Sequence, residues 1–281
     1  MKLIAIDMDG TLLSSDKKIS AENKLALQEA IDAGHQVMIC TGRHHDSLLT
    51  FLKDENLSFP ISASNGAFTQ TDEKIIHETS MEYATAARLF EWLQSHRYPF
   101  KFYTNRGAFS ERDFLQLAKE ANQKVPVQEG EHWEWEVFLD HQRKSNLTPI
   151  SSFNQVEKGN IRIYKFFVYT PEIEKKSALK DWLQELGGTH FTSSMDDNVE
   201  IMGVDGHKGT GITQMAQHFG IPLSDTIAIG DNHNDIPMLK TAGTAIAMGN
   251  AEPEVKALCD YTTKSNDEGG VAFAIREFVL K

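Results

Sequence analysis

The sequence predicts a doubly wound, mainly parallel α/β core interrupted by an inserted α+β domain, and three observations predict it. Five short, nearly continuous apolar runs (3–6, 36–40, 60–64, 226–230 and 245–248) lie toward the two ends of the chain, with helical patterns between them. Such runs fit parallel strands buried on both faces. The middle of the chain instead carries strands with one polar face, which suits an open layer beside a different core. At 281 residues the chain is long for one hydrophobic core and suits two domains.

Taken in order, the run at 3–6 opens the first strand and ends in acid. Ser20 can cap a helix whose apolar residues include Leu27, Ala30 and Ile31, and Gly34 can stop it. The strands at 36–40 and 60–64 follow. From about Met81 a helix places Ala86, Leu89, Phe90 and Leu93 on one face. A strand at 100–104, a helix at 111–124 and an alternating, half-exposed strand at 161–169 come next. A helix burying Leu179, Trp182, Leu183 and Leu186 stops at Gly187-Gly188, and strands at 189–193 and 198–202 flank a turn at Met195-Asp196-Asp197. Within 127–160, Trp133, Trp135, Phe138 and Leu139 suggest buried pieces, and 142–148 reads as loop. A helix carrying Ile212, Met215, Ala216 and Phe219 ends at Gly220, before the last two core strands. The expected division is therefore a core of 1–82 with 204–281 and an inserted domain of 83–203. Strands alternating with helices place the ligand site beyond the carboxyl ends of the core strands.

Hydrophobic residues at 40% and charged residues at 24% are ordinary globular values and exclude a disordered chain. Two cysteines exclude a disulfide scaffold, and Cys40, inside an apolar run, reads as a buried inert thiol. Forty acidic against 28 basic residues give a net charge of −12, which argues against a nucleic-acid or anionic-membrane partner. A small phosphorylated ligand stays open, because it needs only local positive charge. No run approaches the ~20 apolar residues of a membrane helix, and the first residues lack a signal peptide's apolar stretch, so a cytoplasmic protein is expected.

Polar clusters follow four of the apolar runs. The first is Asp7-Met8-Asp9-Gly10-Thr11. Two carboxylates roughly 4 Å apart repel by roughly 4 kcal/mol at an effective dielectric of 20, so a cation or a shared proton must relieve them. The second is Thr41-Gly42-Arg43, with a hydroxyl, an approachable backbone and a guanidinium suited to an anion. The third is Ser64-Asn65-Gly66, and the last is Gly230-Asp231-Asn232-His233-Asn234-Asp235. Lys208 stands just before the Ile212 helix, where it opposes the helix dipole unless an anion sits there. Each cluster alone is also an ordinary turn or cap. Their recurrence at the same edge of one sheet favours a phosphate and metal site.

Asp7-x-Asp9-Gly-Thr11, Thr41-Gly-Arg43, Lys208 and Gly-Asp231-x-x-Asn234-Asp235 resemble, in this order, the four motifs of the haloacid-dehalogenase-like superfamily. The position of the long insert, Ser64-Asn65-Gly66 and the late Ser265-Asn266-Asp267-Glu268-Gly269-Gly270-Val271 resemble its Cof-type phosphatase subgroup with a type-2 cap. The resemblance implies that Asp7 is a nucleophile forming an aspartyl-phosphate and that Asp9 is the acid/base. It implies Mg2+ held by Asp7, the backbone carbonyl of Asp9 and Asp231, with Thr41, Gly42, Arg43, Asn65, Lys208 and Asn234 on the phosphate or substrate and Thr11 and Asp235 in support. Oxygen donors suit Mg2+, and no His/Cys set has zinc spacing. The implied activity is hydrolysis of small phosphorylated metabolites such as sugar or cofactor phosphates. A phosphomutase or phosphotransferase, a receiver-like signalling module and a silent binding protein are the alternatives. The inserted cap would read the leaving group, with Gly203 and Gly206 as hinges. Lys101, Tyr103, Asn105, Arg162 and Lys165 read singly as an exposed sheet face, and His44, His45 and His233 as solvent-facing or substrate-lining.

Overall fold

A computed structural model describes residues 1–72, 74–125, 146–156 and 159–281. The chain divides into two compact units, Met1–Thr79 with Asp205–Lys281, and Ser80–Val204. The first unit contains β1 (Leu3–Asp7), α1 (Ala21–Asp32), β2 (Gln36–Cys40), α2 (His45–Asp54), β3 (Ile61–Ala63), β4 (Phe68–Thr71) and β5 (Lys74–Glu78). After the second unit's six strands and three described helices, it resumes with α6 (Lys208–Phe219), β12 (Thr226–Gly230), α7 (Ile236–Thr241), β13 (Thr244–Ala247), α8 (Pro253–Leu258), β14 (Tyr261–Thr262) and α9 (Gly270–Ala274).

The first unit's strands form one sheet in the order β14-β13-β12-β1-β2-β3-β4-β5. Neighbours run parallel from β14 to β3, and β4 and β5 add an antiparallel edge. The predicted mainly parallel α/β class is borne out. Leu3, Ile4, Ala5 and Ile6 are fully buried, as a central strand covered on both faces requires. The chain proceeds from β1 outward to β2 on one side and later places β12 on the other. Strand order thus reverses at β1, and the crevice beyond its carboxyl end is where such sheets bind ligands.

Local chemistry explains most element ends. The Ser20 side chain accepts the Asn23 amide at 3.1 Å and starts α1. The buried face of α1 is Asn23, Ala26, Leu27 and Ala30; Ile31 lies one position off that stripe and is exposed, contrary to the sequence reading. Helix α6 buries Ile212, Met215 and Ala216 and closes at left-handed Gly220. The third strand is shorter than the apolar run, because Ser64 already leaves extended geometry at φ 49°.

The second unit has strands β6 (Phe100–Thr104), β7 (Gly107–Glu111), β8 (Leu147–Ile150), β9 (Ile163–Tyr169), β10 (Thr189–Thr192) and β11 (Asn198–Gly203), in sheet order β10-β11-β9-β6-β7-β8. Its helices are α3 (Tyr83–Ser95), α4 (Phe114–Asn122) and α5 (Ile173–Leu186). Phe100, Phe102, Phe166, Val168, Val199 and Ile201 join Leu89, Phe90, Leu93, Leu179 and Leu183 in one core, with Trp182 and Leu186 partly buried against it.

Three readings change here. The helix expected at 111–124 begins at Phe114, because 107–111 pairs with β6 as a hairpin. Leu147 and Thr148 are strand rather than loop. The strand β9 is buried on both faces: Ala118 and Ala121 of α4 pack with Tyr169 and Phe167, and Lys165 pairs with Glu200 at 2.8 Å. Lys101 and Lys165 are accordingly buried rather than exposed, whereas Asn105 and Arg162 are exposed and joined by an Arg162 amide bond to Asn105 Oδ1 at 2.8 Å. Trp133, Trp135, Phe138 and Leu139 lie outside the described residues. No described helix is long and apolar enough to cross a membrane.

Candidate active site

Asp7 is the last residue of β1 and is paired in register with Cys40, the last of β2. Thr41 follows β2, Ser64 follows β3 and Asp231 follows β12, so four chain turns leave one edge of the sheet together. Backbone bonds tie two of these turns: the Ser64 amide donates to the Arg43 carbonyl at 2.8 Å, and the Asn65 amide to the Thr41 carbonyl at 3.0 Å. Ser64 and Asn65 both hold positive φ, 49° and 56°. Such backbone costs roughly 1–3 kcal/mol per non-glycine residue and persists only where surroundings fix it. The Asn234 side-chain amide donates to Asn65 Oδ1 at 3.4 Å, linking the third turn to the fourth.

Gly10 has φ +82°, and a Cβ there would lie 2.4 Å from Asp231 Oδ2. Only glycine lets the turn after β1 approach that carboxylate. Gly10→Ala is expected to cost about 1–3 kcal/mol of stability and to displace Asp231. Urea unfolding and a divalent-cation titration of the variant check this; wild-type values in both would refute it.

Lys208, the first residue of α6, is completely buried. Its Nζ donates to Asp7 Oδ1 at 2.5 Å and to Asp235 Oδ1 at 2.6 Å. The other oxygen of Asp235 accepts the amides of Asp231 (2.9 Å) and Asn232 (3.0 Å). Asp235 therefore anchors both the lysine and the fourth turn. Thr11 Oγ1 donates to Asp231 Oδ1 at 2.7 Å. Burial, then the negative charge of Asp235, pushes the Asp7 carboxyl well above the usual carboxylate range. The same two causes push Asp231 up to about 6. Burial opposes charge on Lys208 too, but Asp235 and Asp7 outweigh it and hold the ammonium above its ordinary value.

Asp7, Asp231 and Asp235 each offer an oxygen within 4.8 Å of the others. Three carboxylates against one ammonium leave two negative charges uncompensated. Oxygen donors with that charge deficit fit a hard divalent cation. The group contains Asp235, and the Asp9 carboxylate is not part of it.

The Asp9 side chain is occupied otherwise. Arg43 grips it with a fork, Nε to Oδ2 and a terminal nitrogen to Oδ1, both at 2.8 Å. Lys17 adds a bond at 3.2 Å. Burial alone would raise Asp9, but the Arg43 fork prevails and brings it down to about 2. In this arrangement Asp9 accepts and cannot donate. Arg43, expected on the phosphate or substrate, turns its guanidinium to Asp9 and lies 5.6 Å from the Phe51 ring centroid. Thr41 Oγ1 is buried and accepts the Arg43 amide at 3.2 Å, which keeps its own hydrogen available for donation.

The histidines divide. His44 and His45 side chains are only 9% and 15% exposed, and His45 stacks on Phe68 at 4.2 Å, so of the two expectations, solvent-facing or substrate-lining, the first does not hold for them. His233 is half exposed and meets Glu254 at 2.6 Å. Cys40 is the expected buried thiol, pushed by burial up to about 12. Sequence reasoning missed Lys17 and the lysine-anchoring half of Asp235. The three-residue spacing from Asn232 to Asp235, that of a capping box in which the second side chain reaches back to the first residue's amide, is the signal that could have found the latter.

Comparison with known proteins gives a family. Residues 4–275 match the family described as haloacid dehalogenase-like hydrolase. The chain is 34% identical over 287 aligned positions to the 5-amino-6-(5-phospho-D-ribitylamino)uracil phosphatase YwtE of Bacillus subtilis (strain 168), covering 99% of this chain and 98% of that one. Among solved structures, a haloacid dehalogenase-like hydrolase from B. subtilis superposes with TM-score 0.86 at 28% identity, covering 99% and 100% of the two chains. The subclass IIB sugar phosphatase BT4131 superposes with TM-score 0.81 at 25% identity, covering all of both chains.

Proposed function

The chain belongs to the haloacid dehalogenase-like hydrolases, and on that premise we propose that it is a cytoplasmic, Mg2+-dependent phosphatase of small phosphorylated metabolites that works through an aspartyl-phosphate. The observation that carries the reading is the buried Asp7 carboxylate at the end of β1, bonded to Lys208 and grouped with Asp231 and Asp235 in a cluster two positive charges short. Two free cysteines suit a reducing compartment.

In this reading an Asp7 oxygen attacks phosphorus, and the bond from phosphorus to the alcohol oxygen breaks. Water then attacks the aspartyl-phosphate and returns Asp7, so one displacement becomes two. Lys208 and the Thr41 hydroxyl offer donors to the phosphate oxygens, and the Asn65 and Asn234 amides line the same edge. Asp9 protonates the departing alcohol and later takes the proton from water. To do so it must first exchange the Arg43 fork for a proton, which makes Arg43 the group that sets when Asp9 is available. A Mg2+ held by Asp7, the Asp9 backbone carbonyl and Asp231 would offset charge on the phosphate and on the acidic cluster. The second unit carries the choice of leaving group. The relatives' substrates, a phosphoribitylamino-uracil and sugar phosphates, direct attention to polyol and sugar phosphates.

Phosphate release from a panel of sugar, polyol and cofactor phosphates plus p-nitrophenyl phosphate, with Mg2+ and with chelator, tests the proposal. Release that disappears with chelator is expected. Folded protein releasing none from any member would overturn it.

A further inference from the structure

We propose that the closing segment around Asn266, together with Asn250, is a positioning clamp on the loop that carries Asp9; the inference rests on Asp9 as the proton donor proposed above. The loop from Asp9 to Ser15 leaves β1 with little regular structure of its own. Its internal bonds, Leu12 amide to Asp7 carbonyl and Leu13 amide to Met8 carbonyl, each close a wide turn of six residues. Three of its backbone groups, the carbonyls of Gly10 and Leu13 and the amide of Ser15, are bonded from outside the loop.

Each of those three is taken by a side chain from the C-terminal part of the chain. Asn250 Nδ2 donates to the Gly10 carbonyl at 2.8 Å. Asn266 Nδ2 donates to the Leu13 carbonyl at 2.9 Å. Asp267 accepts the Ser15 amide at 2.8 Å and its hydroxyl at 2.7 Å. The first two are coupled, because Asn250 Oδ1 accepts the Asn266 amide at 2.9 Å. A continuous chain of bonds therefore runs from the Gly10 carbonyl through both asparagines to the Leu13 carbonyl. The amide of Asn250 serves both ends, donating at Nδ2 and accepting at Oδ1.

The clamp is itself held. Gly249 donates its amide to the Lys264 carbonyl at 2.9 Å, and a Cβ at Gly249 would lie 2.7 Å from the Ser265 nitrogen, so only glycine permits this approach. Ser265 Oγ donates to Glu268 at 2.6 Å and fixes the turn that presents Asn266 and Asp267. Asn250 and Asp267 are exposed, and the core of the unit does not depend on them. A purely cohesive role would not require three such contacts converging on the seven residues that follow Met8. Proton transfer needs its donor within hydrogen-bond reach of the leaving oxygen, and a displacement of about 1 Å can lower rate by about 100-fold.

The test uses the full chain, with Asn266→Asp, which keeps the shape but removes the donor, and Asn250→Ala, a change at an exposed position. Phosphate release from an alkyl phosphate is expected to fall by about 10–100-fold in kcat, with KM nearly unchanged. Release from p-nitrophenyl phosphate, whose leaving group needs no proton, should fall much less. Amide exchange at Leu12, Leu13 and Ser15 should quicken while β12 keeps its protection. The double variant should lose little more than Asn266→Asp alone, because the two asparagines act as one chain. Equal losses for both leaving groups, or unchanged exchange in the loop, would overturn the clamp. If the intact chain released no phosphate, the phosphatase reading would fail, and exchange at these amides would still decide whether the clamp holds the loop.

Discussion

Asparagine in place of Asp7 is expected to lower phosphate release by at least about 10,000-fold without weakening the fold. The amide keeps the shape of the carboxylate but has no electron pair able to attack phosphorus, so the first displacement has no nucleophile. The expectation for stability follows from the sign of the Asp7 shift. Burial and Asp235 raise its folded-state value, so the folded chain binds this proton more tightly than the unfolded chain. That contribution is present at low pH and is lost as pH rises through the raised value. With chelator at pH above that value, Asp7 is a charge the fold opposes, and a neutral amide relieves it. Lys208 keeps Asp235 as its partner at 2.6 Å. Melting with chelator should therefore be equal or higher in the variant. Activity within tenfold of the intact chain would remove Asp7 from the nucleophile role. A lower melting temperature would show that its ion pair with Lys208 outweighs its repulsion from the other carboxylates.

Much of this site is legible in the sequence because parallel strands buried on both faces leave a plain signal. Runs ending at Ile6, Cys40 and Gly230 are nearly continuously apolar, so the residues that follow them fall on one sheet edge. Ser20 and Gly220 mark helix ends through local bonds and left-handed backbone, which need no knowledge of distant residues. What escaped the reading depends on distant partners. The grip of Arg43 on Asp9 joins residues 34 positions apart and arises from how two turns leave the sheet, which periodicity does not encode. Lys165 alternates as an exposed residue would, yet Glu200 and the packing of α4 bury its strand. Strands β7 and β8 are too short for alternation to separate them from a helix start and a loop. The asparagines at 250 and 266 act on backbone carbonyls, and no side-chain pattern announces that.

Methionine in place of Lys208 is expected to abolish activity in a way that differs physically from the loss of Asp7. Removing the ammonium takes away a phosphate-side donor, and a loss of about 100–1,000-fold in kcat follows from the cost of one well-placed donor. It also leaves Asp7, Asp231 and Asp235 together without their one cation. Breaking a buried ion pair from one side costs about 3–5 kcal/mol, so urea unfolding with chelator should show a clear fall in stability. The fall should depend on pH. Asp231 titrates near 6 even with Lys208 present, and without it the cluster can relieve repulsion only by taking up protons. The unfolded chain holds those protons less tightly, so stability is lost as pH rises, and the deficit should be smaller at pH 5 than at pH 8. Adding Asp7→Asn to Lys208→Met should then restore part of the lost stability while both variants remain inactive. Recovery by removing a second charged group is what a cluster short of positive charge requires. A Lys208→Met chain that unfolds like the intact one at both pH values would mean that the three carboxylates do not share one electrostatic field, and the case for a divalent cation among them would fall with it.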